Sequence, residues 1–483
     1  MTKILFAAAE AAPFYKTGGL GDVAYALPKA LQRAGNDIRV VVPYYPTKMP
    51  AAYTEQLTDV TNFTVAVGWR QQYCGIKTLL LGKVRYYFID NLYYFGRDGL
   101  YGYADDGERF AFFQLALCEM MARFDFIPDV LHVNDWHTAF VPVLLRDKYQ
   151  WINDYRAIKT VLTIHNLRFQ GVFDPVVLSD LFGIGMATWQ ENGTKYFDQV
   201  NFLKGGINYA DAINTVSPSY AQEIQTPAFG EGLDGTLRQN AYKLHGILNG
   251  IDNELYDPAT DTNLAANYTA TDRTGKAADK QALQASLGLP QRKEVPLFAM
   301  ISRLTSQKGA QLLVATLDDF LVRHDAQVVV LGTGDPDFEQ QLRDFQVRYP
   351  GQCAVRITFN EALAQQIYAG SDYFLMPSAF EPSGLSQMMA MRYGSIPVVH
   401  LVGGLRDSVQ PYNQYTGAGT GFGFDNYSSV VLGEIMSYAY RIYHEDAPAW
   451  QQLQQQAMAQ DFDWRHSAQD YQRLYQQVIG EKK

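Results

Sequence analysis

A glycine-rich stretch near the N-terminus carries residues suited to binding an anion. The sequence K-T-G-G-L-G-D-V, residues 16–23, follows a short apolar run and precedes an apolar segment with helical spacing. A turn from a strand into a helix directs backbone N–H groups and the positive end of the helix dipole toward an anion. Gly18, Gly19 and Gly21 allow a ligand close to the backbone, and Lys16 adds a mobile positive charge. The stretch predicts a phosphate-binding loop; the plainer interpretation is a glycine-rich turn without a ligand.

This stretch matches neither of the common phosphate-binding signatures. A Walker loop has its lysine after the glycines, and a dinucleotide-binding turn needs G-x-G-x-x-G. The core G-G-L-x-D occurs a second time in the other half of the chain, at residues 403–407. Two such turns on two halves suggest that both face one ligand across a cleft.

Two cations follow one apolar run of the second half, in the sequence S-R-L-T-S-Q-K-G. Arg303 comes two residues after the run that ends at Ile301, and Lys308 lies where the next helix is expected to begin. Doubly wound α/β sheets bind ligands at the carboxyl ends of their strands. We expect this pair to hold a diphosphate and stabilise it as a leaving group. The alternative is an exposed, solvated pair.

An acidic residue, Glu381, lies in P-S-A-F-E-P-S-G-L-S-Q, between a predicted strand and a predicted helix. A carboxylate near a helix N-terminus is stabilised by the helix dipole, so a simple cap is one interpretation. The other is a carboxylate that accepts hydrogen bonds from sugar or ribose hydroxyls, with backbone N–H groups of Gly384 and Leu385 on a phosphate. The sequence pattern alone leaves both open.

Histidines follow two other predicted strands. His165 ends V-L-T-I-H-N, and its spacing alone predicts a packed side chain. Asp135 lies in H-V-N-D-W-H between His132 and His137. Three residues this close on one turn seldom converge on one ion, and no H-E-x-x-H occurs, so we expect no metal site. No G-x-S-x-G supports serine-hydrolase chemistry.

Aromatic residues cluster without clear periodicity between the predicted strands of the first half. The cluster consists of Tyr93, Tyr94, Phe95, Tyr101 and Tyr103. Core filling is the default interpretation of such residues. Beside a ligand cleft they would also suit stacking on sugar rings.

Apolar runs alternate with helical segments throughout the chain. Predicted strands are residues 37–42, 84–89, 130–133, 160–164 and 212–216 in the first half, and 297–301, 327–331, 354–359, 373–376 and 396–400 in the second. Predicted helices are residues 25–34 and 108–123, then 310–321, 338–349, 363–369, 385–393 and 467–479. This alternation predicts an α/β fold with a mainly parallel sheet in each half. A polar tract at residues 257–279 predicts a linker or surface loop near the domain boundary.

Length and composition exclude several classes of protein. The 483 residues are 47% hydrophobic, enough for roughly two or three domains. A net charge of −10 argues against a nucleic-acid partner. Cys74, Cys118 and Cys353 are scattered and form no C-x-x-C pair, which suits a reducing cytoplasm. Glu10 interrupts the N-terminal apolar run too early for a signal peptide, and no stretch is long enough to cross a membrane. We therefore expect a cytoplasmic protein.

The motifs, taken together, resemble one known family. K-T-G-G-L-G-D-V, H-V-N-D-W-H, T-I-H-N-L, I-L-N-G-I-D, S-R-L-T-S-Q-K-G, F-E-P-S-G-L and G-G-L-R-D-S-V follow the order seen in bacterial glycogen synthases and plant starch synthases. The resemblance runs nearly end to end. It implies a GT-B fold, in which two Rossmann-like doubly wound domains, residues 1–246 and 247–461, face a central cleft. A C-terminal helix, residues 462–483, would return to the first domain.

The resemblance also implies an activity. The family transfers glucose with retention from a nucleotide sugar, usually ADP-glucose, to the non-reducing end of an α-1,4-glucan such as glycogen. It uses neither a metal nor another cofactor. By motif, the donor-binding residues would be Lys16, Gly18, Gly19, Asp135, Asn249, Gly384 and Leu385, and the catalytic residues His165, Arg303, Lys308 and Glu381.

These implied roles are specific. Lys16 would bind the donor diphosphate, Arg303 and Lys308 would neutralise the departing ADP, and Glu381 would position the donor. His165 would contact the transferred glucose, which reverses the expectation from its spacing.

A second set of implied roles concerns the sugar pocket, which Asp135 and Asn249 would line. Ser383 stands where F-E-P-C-G-L is commoner, and Val402 and Ser408 replace threonines around the second glycine turn. We expect these departures to change only fine contacts.

The mechanism expected from these motifs is front-face displacement. Retaining hydrolases place two carboxylates about 5–5.5 Å apart, and no second carboxylate accompanies Glu381 in the motif set. The leaving phosphate would then help to take the acceptor's proton, so catalysis is positioning plus charge neutralisation. Domain closure would bring Lys16 toward Arg303 and Lys308 and expel water.

Two other functions stay open at this point. A glucan phosphorylase shares the two-domain architecture and would carry pyridoxal phosphate on a lysine. A non-catalytic glucan-binding protein would not need the intact set of cations. The choice between ADP-glucose and UDP-glucose and the oligomeric state are not determined by the sequence.

Overall fold

The chain divides into two compact units. The computed structural model describes residues 1–124 and 126–480. The first unit is Met1–Asn249 together with the C-terminal segment that begins at Trp464, and the second is Gly250–Asp463. Each unit contains its own cluster of buried apolar side chains.

The first unit is built on a sheet that has nine strands within the described residues, with a small antiparallel sheet beside it. The strands are β1 (Lys3–Ala7), β2 (Asp37–Pro43), β3 (Thr58–Val67), β4 (Arg70–Leu81), β5 (Val84–Asp90), β6 (Val130–Asn134), β7 (Lys159–Ile164), β8 (Val172–Phe173), β9 (Lys195–Tyr196), β10 (Gln199–Asn201), β11 (Ala212–Thr215) and β12 (Leu244–Gly246). The large sheet has the order β12-β11-β7-β6-β1-β2-β5-β4-β3, and the small sheet the order β8-β10-β9.

The parallel part of the large sheet has the doubly wound order. The chain starts in the middle with β1, moves outward through β2 and β5, then returns to β6 on the other side of β1. Ile4 lies opposite both Ile38 and Val130. All five residues of β6 are buried, as expected for a strand covered on both faces. The predicted strands therefore belong to one parallel sheet, which β4 and β3 extend in antiparallel fashion.

Helices cover both faces of this sheet. The helices of the first unit that precede its C-terminal helix are α1 (Gly19–Arg33), α2 (Ala51–Thr54), α3 (Leu92–Phe95), α4 (Asp106–Met121), α5 (Trp136–Ala139), α6 (Val141–Asp147), α7 (Val177–Asp180), α8 (Phe202–Tyr209), α9 (Pro218–Glu223) and α10 (Asp234–Gln239). Helix α1 buries Leu20, Val23, Leu27 and Leu31 on one face, because residues three and four apart share a side of a helix.

The C-terminal helix, Trp464–Gly480, completes the core of the first unit. Its buried tyrosines contact polar groups in the sheet: Asn214 Nδ2 donates to the Tyr471 hydroxyl at 2.9 Å, and the Tyr475 hydroxyl lies 2.7 Å from His132 Nδ1. The helix also packs against α1. The amphipathic pattern of Tyr471, Leu474, Tyr475 and Val478 therefore reflects burial in the first unit.

The second unit contains a purely parallel sheet. Its strands are β13 (Leu297–Ile301), β14 (Gln327–Leu331), β15 (Cys353–Arg356), β16 (Tyr373–Met376), β17 (Ile396–His400) and β18 (Phe422–Phe424). Their order is β15-β14-β13-β16-β17-β18, again doubly wound. The chain reverses its direction of travel between β13 and β16, which is where such sheets bind ligands.

Helices surround the second sheet as well. They are α11 (Thr274–Leu287), α12 (Ala310–Arg323), α13 (Pro336–Arg348), α14 (Glu361–Gly370), α15 (Ser386–Arg392), α16 (Gly403–Ser408), α17 (Ser429–Glu445) and α18 (Ala447–Met458); the C-terminal helix of the first unit is α19.

The polar tract at residues 257–279 corrects one sequence-based expectation. Its last residues begin α11, so the tract is not a linker throughout. The Lys276 ammonium is buried and donates to the backbone oxygens of Tyr368, Ala369 and Tyr393. The Asp279 carboxylate accepts from two backbone N–H groups of the preceding loop. Polar composition misled the prediction because these polar side chains are buried and hydrogen-bonded.

None of the helices described is both long and apolar enough to span a membrane.

Candidate active site

The glycine stretch forms the connection from β1 to α1. Gly18 is the N-cap residue in extended backbone, and α1 begins at Gly19. Gly21 has no room for a Cβ, which would overlap the Lys16 side chain. Lys16 Nζ lies 2.9 Å from Asp22 Oδ1, so the loop presents its cation together with an acid from the first turn of α1.

A buried carboxylate, Glu10, organises this loop. Its side chain accepts hydrogen bonds from Thr17 N at 2.9 Å, Thr17 Oγ1 at 2.7 Å, Gly18 N at 3.3 Å, Gly21 N at 3.0 Å and the Tyr101 hydroxyl at 3.1 Å. Burial raises the pKa of Glu10, and the hydrogen bonds from Thr17, Tyr101 and Gly21 oppose the rise. The N–H groups of Gly18 and Gly21 are therefore engaged within the loop.

Asp135 and His165 meet at the ends of neighbouring strands. Asp135 directly follows β6 and has a positive φ of 53°, which non-glycine residues seldom adopt. His165 follows β7, and its backbone N–H donates to Asp135 Oδ1 at 2.7 Å. Burial raises the pKa of the Asp135 carboxyl to about 7, because the charged form loses its hydration. Strained backbone of this kind concentrates at functional sites.

The His165 side chain is held in one orientation. Its Nε2 lies 2.9 Å from Asn134 Oδ1, and Asn134 Nδ2 donates to the Ala7 carbonyl oxygen. Because that bond fixes the amide oxygen toward the ring, His165 Nε2 carries the proton. Burial lowers the pKa of His165 to about 3, so the ring is neutral near pH 7 and Nδ1 is an acceptor.

These residues of the first unit share one edge of its sheet. Glu10, Asp135 and His165 follow β1, β6 and β7, which are adjacent in the order β7-β6-β1. The carboxyl ends of these strands flank the point where the strand order reverses, where ligands bind in doubly wound sheets. Asn249 follows β12, two strands beyond β7, and among the described residues its buried Oδ1 has no hydrogen-bond partner. An unsatisfied buried oxygen is a candidate acceptor for a ligand hydroxyl.

An aromatic cluster borders this edge. The Tyr101 ring lies 4.7 Å from the ring of His137, which lies 4.2 Å from that of Trp136. His137 therefore stacks among rings, and burial lowers its pKa to about 3. His132 instead points into the core, between the Tyr475 and Thr163 hydroxyls. The two histidines of H-V-N-D-W-H thus have separate environments.

In the second unit, Lys308 and Glu381 form a close ion pair. Lys308 Nζ lies 2.6 Å from Glu381 Oε2, and the two side chains are 19% and 6% exposed. Ser378 Oγ donates to the same carboxylate oxygen at 3.0 Å. Lys308 ends a short 3-10 turn before α12, and Ala379 N donates to the Gln307 carbonyl oxygen at 2.9 Å. The loops after β13 and β16 are therefore joined by both backbone and side chains.

The second glycine turn supports the Glu381 loop. Gly403 has a φ of 45°, and a Cβ there would overlap the Glu381 carbonyl oxygen. Gly404 N donates to that oxygen at 3.0 Å, and a Cβ on Gly404 would overlap the Ser383 carbonyl oxygen. Ser408, one of the departures from the family pattern, donates to the Gly404 carbonyl oxygen at 2.6 Å. These glycines thus permit close backbone packing within the second unit.

The other predicted residues of the second unit surround this pair. Arg303 follows β13 and is exposed. Gly384 has a φ of 65°, and Leu385 is the N-cap residue of α15. Strands β13, β16 and β17, which precede Arg303, Glu381 and the second glycine turn, are adjacent in the sheet. This set also lies at the point where the strand order reverses.

Two family models match this chain. Residues 3–239 match the family model of the starch synthase catalytic domain, and residues 280–441 match that of glycosyl transferases group 1. A glycogen synthase of Lactiplantibacillus plantarum is 64% identical over 479 residues, which are 99% of this chain and 100% of the relative. This chain belongs to the bacterial glycogen synthase family. A glycogen synthase of Streptococcus equi subsp. zooepidemicus is 54% identical over 477 residues, with 99% and 100% covered.

A solved structure of a family member has the same architecture. The catalytic domain of starch synthase IV from Arabidopsis thaliana, bound to ADP and acarbose, is 33% identical with a TM-score of 0.93, covering 99% of this chain and 100% of that one. The two Rossmann-like α/β units are those of the GT-B fold, and the protein is a hexosyltransferase of this family, which confirms the predicted fold class and family.

Two residues of the candidate site in this chain were not predicted from the sequence. Glu10 was noted only because it interrupts an apolar run, and Tyr101 only as one aromatic among five. Position offered a signal for Glu10, since it is the first charged residue after β1 and precedes the glycine loop. Nothing in the spacing of Tyr101 indicates that it bonds Glu10.

Proposed function

We propose that this protein transfers glucose from ADP-glucose to the non-reducing end of an α-1,4-glucan, with retention of the anomeric configuration. The starch synthase IV relative was solved with ADP and acarbose, a nucleotide and an oligosaccharide, which supports this pair of substrates. The observation that carries the proposal is the Lys308–Glu381 pair at the carboxyl ends of β13 and β16. It supplies a fixed positive charge where a leaving diphosphate needs one.

We assign the donor diphosphate to three cations. Lys308 and Arg303 neutralise the charge that develops on departing ADP, and Lys16 contributes a third positive charge. Gly384 and Leu385 offer backbone N–H groups at the start of α15, and Gly19 offers one at the start of α1. Charge neutralisation by a positioned donor contributes about 10²–10³-fold to rate; we assign this effect to Lys308 and Arg303, whereas Lys16 acts in donor binding.

Glu381 acts by positioning. Its Oε2 accepts from both Lys308 Nζ and Ser378 Oγ. A carboxylate paired in this way is a poor nucleophile, because attack would break the ion pair. The reaction therefore proceeds by front-face displacement, in which the leaving phosphate takes the acceptor's proton and the glucosyl bond re-forms on the same face.

The transferred glucose is held by the first unit. His165 Nδ1 is an acceptor for a sugar hydroxyl, and Asn249 Oδ1 is a second. Asp135 bonds the His165 backbone and keeps that residue in place. Neutral histidine suits this task, because an imidazolium has no acceptor lone pair.

Release of ADP tests the proposal directly. Purified protein incubated with ADP-glucose and glycogen is expected to release ADP in step with glucan growth. The anomeric configuration of the new linkage, read by proton NMR, is expected to be α. UDP-glucose in place of ADP-glucose measures donor preference. Absence of ADP release with both donors would contradict the proposal, and a pyridoxal absorbance band with phosphate-dependent glucan cleavage would indicate a phosphorylase.

A further inference from the structure

We propose that Glu10 is a positioning residue that sets the conformation of the glycine loop and ties it to Tyr101. The inference rests on the proposed role of the loop in donor binding. Glu10 lies three residues beyond the end of β1, and its residue is 1% exposed. It contacts neither the cation of the loop nor a substrate in this assignment, so its effect passes through the residues that it bonds.

The hydrogen bonds of Glu10 reach across the whole loop. One carboxylate oxygen accepts from Gly18 N and Gly21 N, at the N-cap and in the first turn of α1. The other accepts from Thr17 through both its N–H and its hydroxyl. Lys16 lies next to Thr17 in sequence, and a Cβ on Gly21 would overlap its side chain. The conformation that Glu10 fixes therefore fixes the backbone that carries Lys16.

The same carboxylate connects the loop to Tyr101 and to the rings packed beside it. The Tyr101 hydroxyl donates to Glu10 Oε2, and the Tyr101 ring packs against His137. His137 lies two residues after Asp135. Glu10 thus joins the loop after β1 to the segment after β6 through a single side chain.

Only an ionised carboxylate satisfies this set of donors. A carboxylate is an acceptor at both oxygens, whereas glutamine has one oxygen and one NH₂ group. Turned toward Gly18 and Gly21, that NH₂ would face two N–H groups, neither of which can accept. If the NH₂ group were turned toward Thr17 and Tyr101, it would face two hydroxyls and one N–H. A hydroxyl can switch from donating to accepting a hydrogen bond, whereas an N–H cannot. Glu10→Gln therefore leaves at least one loop N–H without its acceptor.

Glu10→Gln is the first test. We expect the KM for ADP-glucose and the Kd for ADP, measured by calorimetry, to rise about tenfold, as for loss of one hydrogen bond to a charged group. The kcat is expected to stay within about threefold of wild type. A merely structural residue would lower activity by reducing the folded fraction and would leave KM unchanged.

Asp211→Asn is the matched control. Asp211 accepts from both N–H and hydroxyl of Thr160, as Glu10 does from Thr17. It precedes β11, at the edge of the sheet opposite to the candidate site. We expect this variant to lose stability with unchanged KM for ADP-glucose and unchanged Kd for ADP.

Thr17→Val provides a second variant in case Glu10→Gln does not fold. Thr17 is exposed, so valine removes one bond to Glu10 at little cost in stability. We expect the KM for ADP-glucose to rise about threefold, since a neutral donor to a charged acceptor is lost while the N–H bond remains.

The outcomes separate this inference from the proposed function. Wild-type KM and ADP affinity in Glu10→Gln, or in Thr17→Val if the first variant does not fold, would overturn the positioning role. So would changes in both constants equal to those of Asp211→Asn. If the wild-type protein transfers no glucose but binds ADP about tenfold more tightly than Glu10→Gln, the positioning role holds and the proposed function fails.

Discussion

Replacing Lys308 with alanine is expected to lower kcat for glucosyl transfer about 10²- to 10³-fold at saturating ADP-glucose. The ammonium lies 2.6 Å from Glu381 Oε2 and is 19% exposed, so it is a fixed and largely desolvated charge. A positive charge of this kind stabilises a departing diphosphate more strongly than a solvated one, because water screens it less. The loss corresponds to about 2.7–4 kcal/mol of transition-state stabilisation.

The same substitution has a cost in stability that must be separated from the effect on kcat. Alanine leaves Glu381, whose side chain is 6% exposed, with Ser378 as the remaining partner described above. An unpaired buried carboxylate costs about 1–3 kcal/mol or more. The double variant Lys308→Ala, Glu381→Gln removes the unpaired charge. We expect it to regain much of the lost thermal stability and none of the lost kcat.

A matched control exists in the same unit. Lys280 Nζ lies 2.6 Å from Asp372 Oδ2, both side chains are 7% exposed, and Asp372 directly precedes β16, whereas Glu381 follows it. Lys280→Met breaks a pair of the same length at the opposite edge of the same sheet. We expect a lower melting temperature and a kcat, per folded molecule, within about threefold of wild type.

The assay is ADP release from ADP-glucose in the presence of glycogen, with the folded fraction of each variant measured by circular dichroism. A Lys308→Ala variant with kcat within about threefold of wild type would refute the assignment of leaving-group stabilisation to this residue. A loss of kcat in Lys280→Met as large as that in Lys308→Ala would refute it as well, because it would make the effect one of stability.

Two further predictions concern the other elements of the site. Burial holds the folded-state pKa of Asp135 at about 7, above an unfolded value of about 3.9. The contribution of Asp135 to stability is therefore fully present below about pH 4 and is lost as the pH rises toward 7. The stability of Asp135→Asn relative to wild type, followed by melting temperature, is expected to rise by up to about 1.4 kcal/mol for each pH unit in that window, and a difference that does not change with pH would contradict this prediction. Gly403→Ala is expected to cost about 1–3 kcal/mol of stability and to lower kcat, because its Cβ would displace the Glu381 carbonyl. Gly417→Ala is the control for backbone strain, because Gly417 also has a positive φ but faces the flexible Gln452 side chain. This control should leave kcat unchanged.

The strands of the sheets could be predicted from the sequence because burial gives them a strong apolar pattern. Residues 297–301, 327–331, 373–376 and 396–400 were predicted as strands with the bounds that the structure shows, since strands covered on both faces are continuous apolar runs. The hairpin β3–β4 escaped prediction. Most of the residues of β3 are exposed or half-buried, so its sequence carries little of the apolar signal on which such predictions depend.

Residues of the candidate site that lie at strand ends could be predicted from the sequence. Contacts made by side chains that reach across loops could not. Arg303, Glu381, Asp135 and His165 each follow a strand, and topology alone places such residues at a ligand edge. No sequence pattern indicates that Lys308 pairs with Glu381, 73 residues away, because that contact depends on β13 and β16 being neighbours. The structural role of Gly403 could not be predicted from the sequence either, because its close neighbour is the Glu381 backbone.

Each unit uses a buried carboxylate to fix the loop that carries its lysine. In the first unit Glu10 bonds the backbone on both sides of the turn after Lys16, and in the second Glu381 bonds Lys308 itself. Both acids are nearly inaccessible. Both oxygens of Glu10 accept hydrogen bonds, and Oε2 of Glu381 accepts two. A carboxylate in that state is suited to fixing a loop before the substrate arrives. At Glu381, which bonds its lysine directly, this also lowers the reorganisation needed when charge develops on the leaving group. Glu10 and Glu381 are therefore expected to act on geometry, and the transferred proton is left to the diphosphate.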